Sequence, residues 1–318
     1  MQGGARMTQT VTTQAPTVDR AERKRLSEGA RAERRFGWLL CAPAVIVMAL
    51  VAFYPIAYAI YLSLQRYDLR FPQLTHFVGL SNYATVLSNG YWWHAFGVTV
   101  IIAVISVAVE LVLGMAFAML LHRTPLWRGL VRTSILIPYG IVTVAAAFSW
   151  QFAWTPGVGY LANLLPAGSA PLTSQVQAIA VVILAEIWKT TPFMALLLLA
   201  GLSLVPDELL RAAKVDGASA WQRFTQIMLP LMKPAILVAL LFRTLDAFRI
   251  FDNIFILTKG NNGTGSVSII GYDNLFTALN LGIGSTISVL IFLSVAIIAF
   301  LFIKGFGTAA PGSALERR

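Results

Sequence analysis

Six stretches of this chain are apolar for long enough to cross a bilayer: about 37–64, 96–121, 130–153, 177–202, 235–258 and 283–303. A helix needs roughly 20 such residues to traverse the hydrocarbon core. In lipid, each backbone N–H and C=O must find its partner within the protein. Runs of this length suit helices, whereas barrel strands would alternate over about ten residues. The composition agrees. Of 318 residues, 57% are hydrophobic and 12% charged, against about a quarter charged in soluble domains. The expected fold class is all-α integral membrane, with six transmembrane helices. The first run lies too far from the N-terminus and is too long for a cleaved secretory signal.

Charge placement sets the expected orientation. Eight Lys and Arg precede the first run, and residues 1–36 read as a basic tail whose first 30 residues are disordered or a surface helix. Arg123, Arg128 and Arg132 follow the second run. Arg211, Lys214, Arg223 and Lys233 follow the fourth, and Lys304, Arg317 and Arg318 follow the last. The other side holds only Arg66, Arg70 and Lys259. Positive residues stay on the cytoplasmic side, so both termini are expected there, with a multi-pass permease domain over 37–303 and a C-terminal tail over 304–318. Attraction to anionic inner-leaflet lipid accounts for the basic tail, and no nucleic-acid partner is expected.

One cysteine, Cys41, excludes an internal disulfide, and three scattered histidines do not make a metal site. No Gly-x-x-x-x-Gly-Lys-Ser/Thr loop, His-Glu-x-x-His or Gly-x-Ser-x-Gly occurs. No catalytic residues and no cofactor are therefore expected in this chain, and energy must come from another polypeptide.

The segment between the fourth and fifth runs, residues 206–230, is too long for a simple turn. Pro206 and Asp207 suit a helix start, Gly217 suits a break, and Ala218 to Met228 suit a second short helix ending at Pro230. Small residues at Ala212, Ala213, Gly217 and Ala218 would let another protein surface approach closely. With Ile227, Leu229 and Pro230, the segment strongly resembles the EAA loop of binding-protein-dependent ABC importer permeases. In that family the loop docks in a cleft of the ATPase subunit. The resemblance therefore implies ATPase coupling by Arg211, Ala212, Ala213, Asp216, Gly217 and Ala218. Arg211 stands where the family has glutamate, and would suit an acidic ATPase patch.

Further resemblance runs through Ala42-Pro43, Tyr54-Pro55, Phe77 to Tyr83 and Ile137-Pro138-Tyr139. It points to the carbohydrate permeases that include the maltose and glycerol-phosphate carriers. Leu136 to Val144, Trp154 to Gly157 and Phe242 to Asn253 look most like the trehalose permeases of that group. The resemblance implies a second homologous permease, an ATPase dimer that binds ATP and Mg, an extracytoplasmic sugar-binding lipoprotein, and a disaccharide cargo.

Ionisable groups at membrane depth cost about 2.5–3.5 kcal/mol each on insertion scales. Here they are Glu110, Glu186, Lys189, Arg243, Asp246, Arg249 and Asp252. Helical spacing sets Asp246, Arg249 or Ile250, and Asn253 on one face, and Glu186, Lys189 or Thr190, and Phe193 on another. Arg243 with Asp246, and Arg249 with Asp252, are spaced for intrahelical pairing. Carboxylates and amides bind sugar hydroxyls, and aromatic rings cover the C–H face. Matched to the maltose permease segment by segment, the sugar contacts fall on Tyr139, Glu186, Thr190, Phe193, Asp246 and Asn253, while one contact position falls on Ile250. Glu110 is expected to pack or to bond a neighbouring helix. The alternative is a proton-coupled secondary transporter, in which these carboxylates would relay protons.

Overall fold

The computed structural model of the chain describes residues 20–123, 128–166 and 168–306. The start of the basic tail (1–19), most of the C-terminal tail (307–318) and the link 124–127 lie outside the described residues. Helix α1, Arg20–Ser63, runs through Pro43 and Pro55, so the second part of the basic tail is helical. Residues up to Tyr58 form a unit of their own. Large apolar side chains of that unit, from Phe36 to Tyr58, are exposed, as a lipid-facing or partner-facing helix requires.

The second unit begins at Ala59. A hairpin of β1 (Gln65–Arg66) and β2 (His76–Phe77) pairs Gln65 with Phe77. Within it Arg70 donates twice to the Asp68 carboxylate, at 2.9 and 2.6 Å, and these bonds hold the Asp68 pKa down to about 2. After the short α2 (Ser81–Leu87) come α3 (Gly90–Arg123), α4 (Arg128–Gly140), α5 (Thr143–Ala153) and α6 (Gln175–Leu202). Then follow α7 (Asp207–Val215), α8 (Ala220–Gln222), α9 (Leu229–Ala247), α10 (Asp252–Leu257), α11 (Val267–Tyr272) and α12 (Leu281–Phe306). Among the described residues five helices are long and apolar enough to span a membrane, and six if the bent α4–α5 pair counts as one.

Close helix approach positions the centre of this unit. A Cβ on Gly114 of α3 would lie 2.7 Å from Met194 Cγ and 3.2 Å from the Ala195 amide of α6. One turn earlier, Thr190 of α6 bonds Glu110 of α3 at 2.7 Å. The two helices therefore run parallel and in register. Two turns further along α6, a Cβ on Gly201 would come within 2.3 Å of Ala235 Cβ on α9. Small residues at such crossings let backbones pack closely where lipid supplies no hydrophobic drive.

Three sequence expectations need correction. The run 130–153 is not one straight helix: α4 and α5 meet at 92°. Pro138 removes a helical donor, and Gly140 followed by β-branched Ile141, Val142 and Thr143 weakens the next turn. The run 235–258 is interrupted between Ala247 and Asp252, where Ser266 Oγ donates to the Ile250 carbonyl at 2.9 Å in place of an intrahelical bond. Asp246 and Asn253 are thus not on one continuous helical face. Finally, the second short helix of the 206–230 segment does not end at Pro230. Starting at a Ser219–Gln222 capping box, it passes through a π-helical stretch, Arg223–Met228, into α9. A wider turn accommodates the ring of Pro230, which would clash with a carbonyl one α-turn back.

Candidate functional site

The parallel α3–α6 pair and the antiparallel α9 bring charges from three helices to one point. Arg243 is fully buried. Its Nε donates to Glu110 Oε2 at 2.6 Å and its Nη2 to Glu110 Oε1 at 2.9 Å. This is the two-pronged geometry that a planar guanidinium offers a carboxylate. Nη2 also reaches Glu186 Oε1 at 3.3 Å, and Nη1 reaches Asp246 Oδ2 at 2.5 Å. Asn253 Nδ2 donates to Glu186 Oε2 at 2.6 Å, and the Thr190 hydroxyl closes the network on Glu110. Every polar group in this cluster is bonded, as a low-dielectric site demands.

Beside the network lies a cavity of about 510 Å³, within the range of about 300–1,000 Å³ typical of small-molecule sites. Tyr139, Glu186, Thr190, Asp246 and Asn253 line it. Phe193 does not line it, but stacks on Tyr139 with centroids 5.4 Å apart and planes 16° apart. The helix break at 248–251 turns the start of α10 toward α6, and this is what brings Asn253 to Glu186. Five of the six residues expected to contact sugar therefore border one cavity, and the sixth braces the aromatic among them. The wall combines carboxylates, an amide, a hydroxyl and an exposed ring. It can accept and donate hydrogen bonds and cover an apolar face. Ile250, with no polar side-chain atom, also lines it.

Some pairings differ from the sequence expectation. Arg243 and Asp246 do pair. Arg249 instead donates to the Leu245 carbonyl at 3.3 Å, and no ion pair joins it to Asp252 among the described residues, because the helix break separates them. Glu110 bonds a neighbouring helix, as expected. Its partner, 133 positions away, could not be read from the sequence. The cavity also takes in Lys189, Arg249, Asp252 and the elbow residues Ile141, Val142 and Thr143. For the first three the available signal was charge at membrane depth. The elbow carried none beyond Pro138 and Gly140.

At the 206–230 segment, α7 and α8 meet at Gly217, whose φ of +84° suits glycine and has open space around it. Ala212, Asp216 and Gly217 are exposed, Ala213 and Ala218 half-buried. Arg211 lines a groove of about 250 Å³ with Lys214, Arg223, His122 and Phe224. Val215 and Trp221 stand outward, 88% and 71% exposed. The result is a knuckle whose outer surface combines apolar side chains with charges of both signs, among them the exposed Asp207, Glu208 and Asp216.

Comparison with known proteins gives a consistent result. Residues 110–307 match the family described as binding-protein-dependent transport system inner membrane component. The trehalose transport system permease protein SugA of Mycobacterium tuberculosis is 64% identical over 281 residues, covering 88% of this chain and 92% of that one. The trehalose/maltose transport system permease protein MalF of Thermococcus litoralis is 38% identical over 278 residues, covering 86% and 94%. Among solved structures, a chain of a bacterial ABC transporter involved in alginate import superposes with a TM-score of 0.74 at 20% identity. It covers 91% of this chain and 99% of that one, which speaks for the fold.

Removing one member of a buried charge pair strands the other, at a cost of about 3–5 kcal/mol. Arg243→Met is expected to destabilise the protein by that amount, because Glu110 and Glu186 both lose their cation. Glu110→Met should cost less, since Arg243 keeps Glu186 and Asp246. The double variant should recover part of the Arg243→Met loss in thermal unfolding of the purified protein, and strictly additive losses would contradict the coupling.

Proposed function

This chain belongs to the family of binding-protein-dependent transport system inner membrane components, and from that footing we propose that it carries a disaccharide, trehalose, as one permease of an ATP-driven importer. The observation that carries the reading is the 510 Å³ cavity walled by Glu186, Asp246, Asn253, Thr190 and Tyr139. The relatives named for trehalose or for trehalose and maltose support the choice of sugar. In this reading a second homologous permease completes the pathway, and an extracytoplasmic binding lipoprotein delivers the sugar. The eight Lys and Arg before the first span, with those that follow the second, fourth and last spans, support cytoplasmic termini in the plasma membrane.

Glu186 and Asp246 accept hydrogen bonds from the sugar hydroxyls, while Arg243, locked behind them, holds both carboxylates in place. Asn253 and Thr190 supply polar edges, and Tyr139, braced by Phe193, offers an apolar face. The chain provides no chemistry on the sugar. ATP, bound with Mg by a partner ATPase dimer, acts by binding one conformation of the assembly more tightly than the other. The α7–α8 knuckle transmits that difference, with Ala212, Ala213, Asp216, Gly217 and Ala218 at the contact and Arg211 facing acidic groups. The proton-driven alternative gains no support: the matched family is of binding-protein-dependent components, and Glu110 and Glu186, the relays it would need, are tied to Arg243.

In the assembled transporter, Asp246→Ala and Glu186→Ala are each expected to lower trehalose uptake at least tenfold. Uptake at the normal rate in both would reject the cavity as the sugar site. At the knuckle, Gly217→Trp is expected to leave ATP hydrolysis running while transport falls, with Gly217→Asn, which tolerates positive φ, as the backbone control. Binding-protein-stimulated transport unchanged in Gly217→Trp would remove the docking role.

A further inference from the structure

We propose that Lys189 is a sugar-positioning residue of this cavity: one ammonium proton pins the α4–α5 elbow, and the other two donate to hydroxyls of the bound disaccharide. The proposal rests on reading the cavity as the sugar site. It starts from the 92° bend, which leaves the Ile141 carbonyl outside both helices, where a side-chain donor can reach it. Lys189 Nζ supplies it at 2.6 Å. The same ammonium lies 6.0 Å from the centre of the Tyr139 ring, which sits two residues before Ile141 and is stacked on Phe193. Lys189 thus fixes both the elbow and the ring that forms the apolar face of the site.

Capping a carbonyl does not by itself require a charge. A neutral amide would do, and an ammonium at membrane depth is costly. An ammonium has three donors and no acceptor, and among the described residues the structure gives this one a single hydrogen bond. Lys189 as a whole residue is 8% exposed, and it lines the cavity together with Glu186, Asp246, Asp252 and Arg249. Glu186 is engaged by Arg243 and Asn253, Asp246 by Arg243, and Arg249 turns to the Leu245 carbonyl. Lys189 therefore holds unused donors beside carboxylate acceptors. A sugar hydroxyl, which gives one proton and takes another, fits between them. Losing such a donor costs affinity only for the sugar that carries the matching oxygen, and this distinguishes a contact from a brace.

The test is equilibrium binding of labelled trehalose and its monodeoxy analogues to the purified permease–ATPase assembly, without the binding protein. For wild type, at least one analogue should bind about tenfold more weakly than trehalose. In Lys189→Met, trehalose itself should weaken about tenfold and the difference from that analogue should vanish. Lys189→Arg, which keeps the charge but shifts the donors, should restore part of the affinity with a changed ranking of analogues. Trehalose binding within twofold of wild type in Lys189→Met, or an unchanged analogue ranking, would overturn the proposal. If Lys189→Met does not assemble, an unchanged ranking in Lys189→Arg has the same force. Glu186→Gln and Asp246→Asn run in parallel separate the two claims: weak binding in both beside normal binding in Lys189→Met removes Lys189 alone, whereas normal binding in all three removes the cavity reading itself.

Discussion

A guanidinium sealed among membrane-spanning helices must be fully paired, and the pairing of Arg243 with Glu110 organises the central part of this molecule. The two-pronged bond fixes α9 against α3, and the bond from Thr190 to the same carboxylate fixes α6 against both. Because the charges meet in register only when Gly114 and Gly201 admit the neighbouring helix, packing and electrostatics select the same arrangement. A small-residue crossing brings helices close, and the ion cluster then sets their height along one another.

The cluster also creates the cavity. One face of Glu186 is held by Arg243 and the other by Asn253, so the carboxylate cannot swing into the space beside it. Asp246, bonded to the same guanidinium, is 63% exposed at its side chain and projects toward that space. The interruptions in the two spanning segments, at 141–142 and 248–251, supply the rest. Irregular backbone at membrane depth is tolerated where it is buried or lines a cavity, and here it does the latter. The elbow contributes Ile141 to Thr143, and the α9–α10 break contributes Ile250 to Asn253.

The sequence made the all-α membrane architecture legible because a run of twenty apolar residues leaves the backbone few choices. The residues of the cavity were legible because ionisable side chains are too costly at that depth to be incidental, so Glu186 and Asp246 drew attention at once. Less could be read from spacing. A face argument put Asp246 and Asn253 together through a helix that is in fact interrupted, and the two converge through the break instead. Periodicity also could not show that Glu110, isolated in an apolar helix, is the main partner of Arg243, since residues 133 positions apart meet only through tertiary packing. Lys189 was visible as a charge, but its hold on the elbow was not, because the bend that frees the Ile141 carbonyl was itself unseen. The turn at Gly217 was the easiest feature to anticipate, since a glycine flanked by small residues after the Pro206-Asp207 helix start marks a break. The continuation of the second helix past Pro230, by contrast, depends on a π-helical turn that spacing does not reveal.

The central claim is that the space beside the Arg243 cluster is where the transported disaccharide rests. The direct measurement is a structure of the complete transporter trapped with trehalose. This account places sugar density in the cavity, with hydroxyl oxygens within about 3 Å of Glu186, Asp246 and Asn253 and one ring against Tyr139. Sugar bound elsewhere in the pathway, with this cavity filled by protein side chains in every state, would contradict it.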